Sequence, residues 1–247
     1  MPVRLTSTRR FAKASRNARH ETRAVITWLA PDDPPDRFPP HEAALRDPSG
    51  LLAAGGDLKP ARLMAAYARG IFPWYSPGQP VLWWSPDPRE VLWPREFHRS
   101  RSLGRALRRG DFSLHENRDF AAVVSACAAP RSRSPGTWIT SEMKAAYCLL
   151  HARGWAHSYE IWRGDTLVGG LYGVRLGPVF FGESMFSLEA DASKAALAGL
   201  VARSEALGIE LIDCQLPSAH LRSLGSRPIP RRAFLALLAP GARAGPT

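Results

Sequence analysis

The sequence predicts an α+β protein: a mixed, mainly antiparallel sheet with helices packed on it, preceded by a small Trp- and Pro-rich N-terminal domain. Three observations carry this. The runs 156–163, 166–174 and 178–187 read as consecutive strands, joined by turns at Arg163-Gly-Asp165 and Arg175-Leu-Gly177 that are short enough for hairpins. A long helical pattern over 192–207, closed by Gly208, leads into a short apolar strand at 210–215. Ahead of both, Trp74, Trp83, Trp84 and Trp93 crowd into a stretch stiffened by prolines. These features divide the chain into a basic arm (1–30), the N-terminal domain (31–87), a larger domain (88–240) and a tail (241–247).

The composition, 45% hydrophobic and 22% charged over 247 residues, is that of an ordinary globular protein with length enough for a sizeable core. The charge is not ordinary: the net value is +11 and the pI is near 10.4. Such a balance points to an anionic partner, nucleic acid before a membrane surface, or else to a solvated basic face. Cys127, Cys148 and Cys214 show no CxxC spacing, which argues against a disulfide framework or a zinc site and for a reducing, cytoplasmic setting. No apolar run approaches the roughly 20 residues that a membrane span needs. The basic N-terminus lacks the apolar stretch of a secretory signal, although its Arg and Ser content also suits an organelle transit peptide.

Taken in order, the arm carries Arg4, Arg9, Arg10, Lys13, Arg16, Arg19 and Arg23 against Glu21, with little periodicity, and is expected to be disordered; phosphate contact and incidental extension both suit it. Residues 31–40 read as an extended linker. The apolar run 51–57 ends in a Gly-Gly turn, and a helix is expected from Pro60 to Arg69, with Gly70 as its stop. The paired glycines lack the Lys-Ser/Thr of a phosphate loop, so a plain turn is expected. From 70 to 93 the proline density argues against a central strand or a helix and for irregular chain held by its indoles. Most of these rings are expected in a core; Trp74 is the first choice to face a ligand. Over 95–109 the apolar positions Leu103, Ala106 and Leu107 give one helical face, leaving Arg99, Arg101, Arg105, Arg108 and Arg109 on the other as a candidate nucleic-acid footprint. Arg131 and Arg133 add the same sign. Helices are then expected near 120–127, 141–153, 218–224 and 231–238.

The chemistry-bearing residues lie on the strands. Glu183 and Ser184 interrupt the apolar run Pro178-Val-Phe-Phe-Gly-Glu-Ser-Met-Phe-Ser187, where a carboxylate is costly unless paired or used. Asp213 and Gln215 occupy alternate positions of the last strand, which predicts one shared face, with Cys214 pointing the other way into the core. If the two strands are neighbours, Glu183 meets Asp213 and Gln215, and such a group can position and deprotonate an amine. No Ser-His-Asp grouping or metal-ligand spacing stands out.

The element order, a meander followed by a helix and a further strand, resembles the acetyltransferase-like (GNAT-like) fold. The coenzyme A-binding members use a Gly-rich loop at that helix, whereas Leu188-Glu-Ala-Asp-Ala-Ser-Lys194 has no glycine and two carboxylates. The resemblance therefore speaks against coenzyme A. Seven motifs are more specific: Gly-Leu-Leu-Ala-Ala-Gly-Gly-Asp-Leu (50–58), Gly-Ile-Phe-Pro-Trp (70–74), Leu-Trp-Trp-Ser-Pro-Asp-Pro-Arg (82–89), Gly-Thr-Trp-Ile-Thr (136–140), Val-Gly-Gly-Leu-Tyr-Gly (168–173), Gly-Glu-Ser-Met-Phe-Ser (182–187) and Ile-Asp-Cys-Gln (212–215). Together they resemble the leucyl/phenylalanyl-tRNA–protein transferases, in order, over about 38–238.

That resemblance implies a catalytic domain at 88–240 that moves Leu or Phe, and Met less well, from aminoacyl-tRNA to proteins beginning with Arg or Lys. The products would be substrates of the N-degron pathway. It implies no cofactor, no metal and no ATP, with aminoacyl-tRNA and acceptor proteins as partners; nothing in the sequence itself calls for an obligate oligomer, and a monomer is expected. By position, Trp74 and Trp138 belong to the pocket for the aminoacyl-adenosine end, with Glu183, Ser184 and Met185 in the same site. Asp213 and Gln215 are the pair associated with activating the amine, and Glu183 is assigned to orienting substrate. Leu171 stands where the family commonly has methionine in its side-chain pocket, which bears on the preference among Leu, Phe and Met. The five arginines would hold acceptor-stem phosphates. Two rival readings are a coenzyme A-dependent N-acetyltransferase and an RNA-binding module without catalysis.

Overall fold

The computed structural model describes residues 26–129 and 138–238. The arm up to residue 25, Arg131, Arg133 and the tail lie outside them. Two sheets organise the chain. The first has the order β1-β2-β4-β3, built from β1 (Thr27–Leu29), β2 (Leu51–Gly55), β3 (Phe72–Pro73) and β4 (Leu82–Trp84). β1 runs parallel to β2, so residues 27–29 are a strand and not the end of a disordered arm.

The expectation of irregular chain through the Trp/Pro stretch fails at β4, which is a central strand. Its three residues, Leu-Trp-Trp, contain no proline; Pro80 and Pro86 flank it, and Pro73 sits on the edge strand, where a missing N–H costs least. Two of the four indoles are core: Trp83 is fully buried, its Nε1–H donating to Gly55 O at 2.9 Å, and Trp84 Nε1–H donates to Trp74 O at 2.6 Å, while Trp74 and Trp93 are half-buried against that core. The Gly-Gly turn is steric in origin. A Cβ on Gly55 (φ +86°) would fall 2.5 Å from Leu29 O, so the backbone needs glycine to pass β1. Helix α1 (Pro60–Ala68) follows, and its buried Arg62 donates to the carbonyls of Asp33 (2.8 Å) and Pro34 (3.3 Å), fastening the linker to the helix.

The second sheet has the order β11-β5-β10-β9-β8-β7-β6, from β5 (Arg89–Leu92), β6 (Ser113–Glu116), β7 (Ala156–Arg163), β8 (Thr166–Leu176), β9 (Val179–Ser187), β10 (Leu211–Gln215) and β11 (Arg227–Ile229). Every pairing is antiparallel except β9–β10, which is parallel because helix α5 (Ala192–Leu207) carries the chain back across the sheet. The meander, crossover helix and parallel strand are the acetyltransferase-like order that the sequence predicts. The sequence did not predict β5, β6 or β11. β6 and β11 are short, mostly exposed edge strands with little apolar pattern, and Pro228 is tolerated on β11 for the same edge reason.

The larger sheet is covered on both faces. On one, α3 (Phe120–Ala128), α4 (Ser141–Ala152) and α7 (Arg231–Leu238), which follows the short α6 (Ala219–Ser223), bury Phe120, Val123, Tyr147 and Phe234 against Tyr172 and Phe181, in a core continuous with that of the first sheet. On the other, α5 and α2 (Arg101–Arg108) bury Leu103, Leu197 and Leu200 against Leu171, Phe180 and Ile212. α2 starts later than the arginine pattern suggests, and its Leu107 is exposed; Leu103 is the anchor. No described helix is long and apolar enough to cross a membrane.

Candidate active site

The parallel ladder between β9 and β10 ends at Phe181 and Asp213, and both strands are irregular just beyond it. On β9, Tyr172 pairs with Ser184 and Gly173 with Gly182, which leaves Glu183 as an extra, unpaired residue. On β10, Asp213 pairs with Val91 and Gln215 with Glu90, which leaves Cys214 extra. Two bulges side by side re-aim the side chains and open a cavity of about 340 Å³. Leu171, Phe180, Met185, Leu197, Leu200 and Ile212 make its floor; Glu183, Ser184, Cys214 and Gln215 lie on its wall. The structure thus brings together six sequence-predicted residues, Leu171, Glu183, Ser184, Met185, Asp213 and Gln215.

The bulge corrects one expectation. Asp213 and Gln215 do not share a face. Gln215 takes a left-handed backbone (φ +56°) and lies opposite Glu90, on the α5 side with Leu92, while Asp213 stays on the α7 side with Val91. Strict alternation fails because β10 has one more residue than β5 between these pairs, and Cys214 is the one without a partner. Cys214 is accordingly half-buried on the cavity wall, not simply core, and burial followed by the Asp213 charge pushes its thiol far up, so it is a poor nucleophile.

Asp213 is fully buried and committed. Its Oδ1 and Oδ2 accept from Arg89 Nε (2.7 Å) and Nη2 (2.6 Å), and Oδ1 also accepts the backbone N–H of Gln215 at 3.0 Å. Arg89 in turn donates to Gly70 O at 3.0 Å and lies between the rings of Phe72 and Phe234, 4.7 and 4.6 Å from their centroids. This pair fixes the end of β10.

Glu183 behaves differently. Its Oε1 accepts from Tyr67 Oη at 2.8 Å and its Oε2 from Tyr147 Oη at 2.6 Å, while the two phenol oxygens are 2.8 Å apart. Three oxygen–oxygen contacts close a ring, but two phenols bring only two protons. All three contacts hold a hydrogen only when Glu183 is itself protonated. Consistent with this, burial raises Glu183 to about 7, with the Asp213 charge adding to the rise and the two phenol hydrogen bonds and Arg89 opposing it. Burial, then the Glu183 charge, raises both phenols well above their ordinary value, so they remain donors.

Family models identify the architecture. The model described as the leucyl/phenylalanyl-tRNA protein transferase family matches residues 91–239, and the model of that family's N-terminal domain matches 56–87. The chain belongs to the leucyl/phenylalanyl-tRNA–protein transferase family. A transferase of this name from Stutzerimonas stutzeri is 57% identical over 215 residues, covering 87% of this chain and 94% of its relative. One from Azotobacter vinelandii is 60% identical, covering 80% and 87%. Among solved structures, a GCN5-related N-acetyltransferase from Kribbella flavida has a TM-score of 0.38 at 11% identity, covering 68% of this chain and 60% of its own. The chain is therefore a tRNA-dependent aminoacyltransferase.

Within this family frame, two predicted residues fall outside the cavity. Trp74 and Trp138 are half-buried at the margin of the core, Trp74 packing on Trp84 with centroids 5.3 Å apart, and neither lines it. Their neighbours Tyr75, Ile139 and Thr140 line a separate open groove of about 750 Å³, where Tyr75 Oη and Thr140 Oγ1 are 3.2 Å apart. Arg99, Arg101, Arg105, Arg108 and Arg109 are all exposed on and beside α2, and among the described residues none forms an ion pair. Sequence reasoning missed Tyr67, Tyr147 and Arg89 as members of the site. Tyr67 read as part of an apolar helix stripe and Arg89 as the end of a Pro-rich motif; no local signal marks either as a partner for a carboxylate over a hundred residues away.

Proposed function

We propose that the protein transfers Leu or Phe, and Met less well, from aminoacyl-tRNA to the N-terminal α-amine of proteins that begin with Arg or Lys, marking them for degradation by the N-degron route in the cytoplasm. The observation that carries this reading is the cavity at the double bulge, with an apolar floor and a polar wall. Leu171, Phe180, Met185, Leu197 and Leu200 offer a side chain only apolar contact, which suits Leu, Phe and Met and separates them weakly. Leu171, where the family commonly has methionine, is the position expected to tune that preference.

In the reaction the amine lone pair attacks the ester carbonyl carbon. The C–N bond forms, the ester C–O bond breaks, the ribose oxygen leaves with its electron pair and takes a proton, and the amine gives up one. The ester is already activated, so the chemistry calls for neither ATP nor a metal. A protein α-amine ionises near 7.7–8.0, and Glu183, at about 7, is matched to it. Taking the proton would give the Glu183–Tyr67–Tyr147 ring its third hydrogen. Glu183 is therefore our candidate for the proton acceptor. Asp213, engaged by Arg89, is a positioning residue that holds the Gln215 backbone. Gln215 and Ser184 supply hydrogen bonds to the reacting groups, and holding amine and ester together supplies much of the rate. Trp74 and Trp138 are assigned to the terminal adenosine through their exposed ring surface, and the α2 arginines to acceptor-stem phosphates. The protein acts as a monomer.

Incubation with radiolabelled Leu-tRNA and peptides beginning with Arg, Lys or Ala tests this directly. Label is expected on the Arg and Lys peptides and not on the Ala peptide. No label on the first two would overturn the reading.

A further inference from the structure

Two buried polar atoms beside the cavity have no partner among the described residues, and they belong to residues that face each other across one ladder. Gln215 on β10 is paired with Glu90 on β5, and directly opposed residues of an antiparallel pair project from the same face. Glu90 is 1% exposed and Gln215 9%. Oε1 of Glu90 accepts from Ser226 Oγ at 2.7 Å and lies 3.5 Å from Arg222 Nε. Oε2 of Glu90 has no partner, and neither has Nε2 of Gln215. The first is an acceptor and the second a donor.

We propose that Glu90 is a positioning residue for Gln215: on a turn of the Gln215 side chain, the free carboxylate oxygen of Glu90 takes the amide N–H, which leaves the Gln215 amide oxygen facing the cavity to accept a hydrogen bond from the incoming α-amine. A primary amide presents a donor edge and an acceptor edge, and only the acceptor edge is useful to an ammonium or amine nucleophile. Nothing intrinsic to a glutamine selects between the two flips. A buried carboxylate does, because the N–H₂ edge can meet it and the oxygen edge is repelled. The bulge at Cys214 supplies the geometry, since without it Gln215 would project on the Asp213 side, away from Glu90. Leaving a carboxylate oxygen buried and unpaired is costly, and the Ser226 bond uses only the other oxygen, so packing alone gives no reason for it. This inference rests on the transfer reaction proposed above.

The test measures kcat and KM for Leu-tRNA transfer to an Arg-initiated peptide with wild type, Glu90→Gln, Glu90→Leu, Gln215→Glu and the double variant Glu90→Gln with Gln215→Glu. Glu90→Gln offers either edge of its own amide and no longer selects the flip of Gln215, so it is expected to lose about threefold or more in kcat, less than Glu90→Leu, with KM for aminoacyl-tRNA unchanged. Glu90→Leu is expected to lose tenfold or more in kcat with KM for aminoacyl-tRNA unchanged. Gln215→Glu sets two carboxylates against each other and is expected to lose tenfold or more, and adding Glu90→Gln, which restores a donor–acceptor pair with the roles reversed, is expected to recover at least part of it. A folded Glu90→Leu protein with kcat within twofold of wild type would overturn the inference. If Glu90→Leu does not fold, the double variant decides: activity no better than Gln215→Glu alone would overturn it. A wild-type protein inactive on Arg and Lys peptides would instead overturn the parent reading.

Discussion

Glu160 on β7 and Glu183 on β9 are both carboxylates set among the apolar residues of one meander, with only β8 between their strands, yet they do opposite things. Glu160 is fully buried and fully used. Its Oε1 accepts from the Asp119 N–H and the Ser158 hydroxyl, both at 2.8 Å, and its Oε2 from Trp162 Nε1–H at 2.9 Å. Three donors that need no proton from elsewhere make it a structural strut tying the start of α3 to the sheet. Glu183 is bulged out of register, is held by two phenols in a ring one proton short, and opens onto the cavity. The lesson is that a carboxylate's role is set by how many protons its partners bring and by what its free side faces, and not by the apolarity of its strand.

The contrast can be broken from several sides. The largest effect is expected from Asp213→Ala, which strands the buried Arg89 charge and should cost about 3–5 kcal/mol in a denaturant melt, with transfer lost. Retained stability would show that the pair is not what fixes β10. Next, Glu160→Ala should cost about 3 kcal/mol, because three donors lose their acceptor, while the folded fraction keeps its kcat. A folded but inactive variant would erase the distinction between the two glutamates.

Glu183→Gln should do the reverse, staying folded but losing about 100-fold in kcat, and its rate should no longer rise through a step near 7, leaving only that of the amine. The stability of this variant also carries a sign. Glu183 is raised from the ordinary value of 4.5 to about 7, so the native state holds its proton more tightly than the unfolded chain does. That contribution is complete below about pH 4.5 and is lost as the pH rises through about 7. Relative to wild type, Glu183→Gln should therefore gain stability between about pH 5 and 8. Parallel profiles would mean that Glu183 carries no proton in this range.

The smallest effect bears on the outer face. Arg105→Glu with Arg108→Glu should weaken tRNA binding and flatten its dependence on salt by roughly 0.7–0.9 in the log–log slope per arginine, leaving the melt unchanged. An unaltered slope would make these arginines a solvated face.

What the sequence determined by itself was local or periodic. The three long strands, their hairpin turns, α5 with its Gly208 stop and the apolar character of Leu171, Phe180 and Met185 follow from side-chain period and turn chemistry, which act within a few residues. The arginine cluster on α2 was legible for the same reason. Glu183, Asp213 and Gln215 stood out because a polar group in an apolar strand has to be satisfied somewhere. Only the tertiary structure decided where. Tyr67, Tyr147 and Arg89 reach those groups from elements far away in the chain, and no pattern in a window encodes a contact at that separation. The bulges at Glu183 and Cys214 are also tertiary facts, because a register shift exists only between two strands. A shift of one residue on β10 moved Gln215 off the face of Asp213 and set it opposite Glu90, so strict alternation, the rule that placed the pair, fails at the site itself.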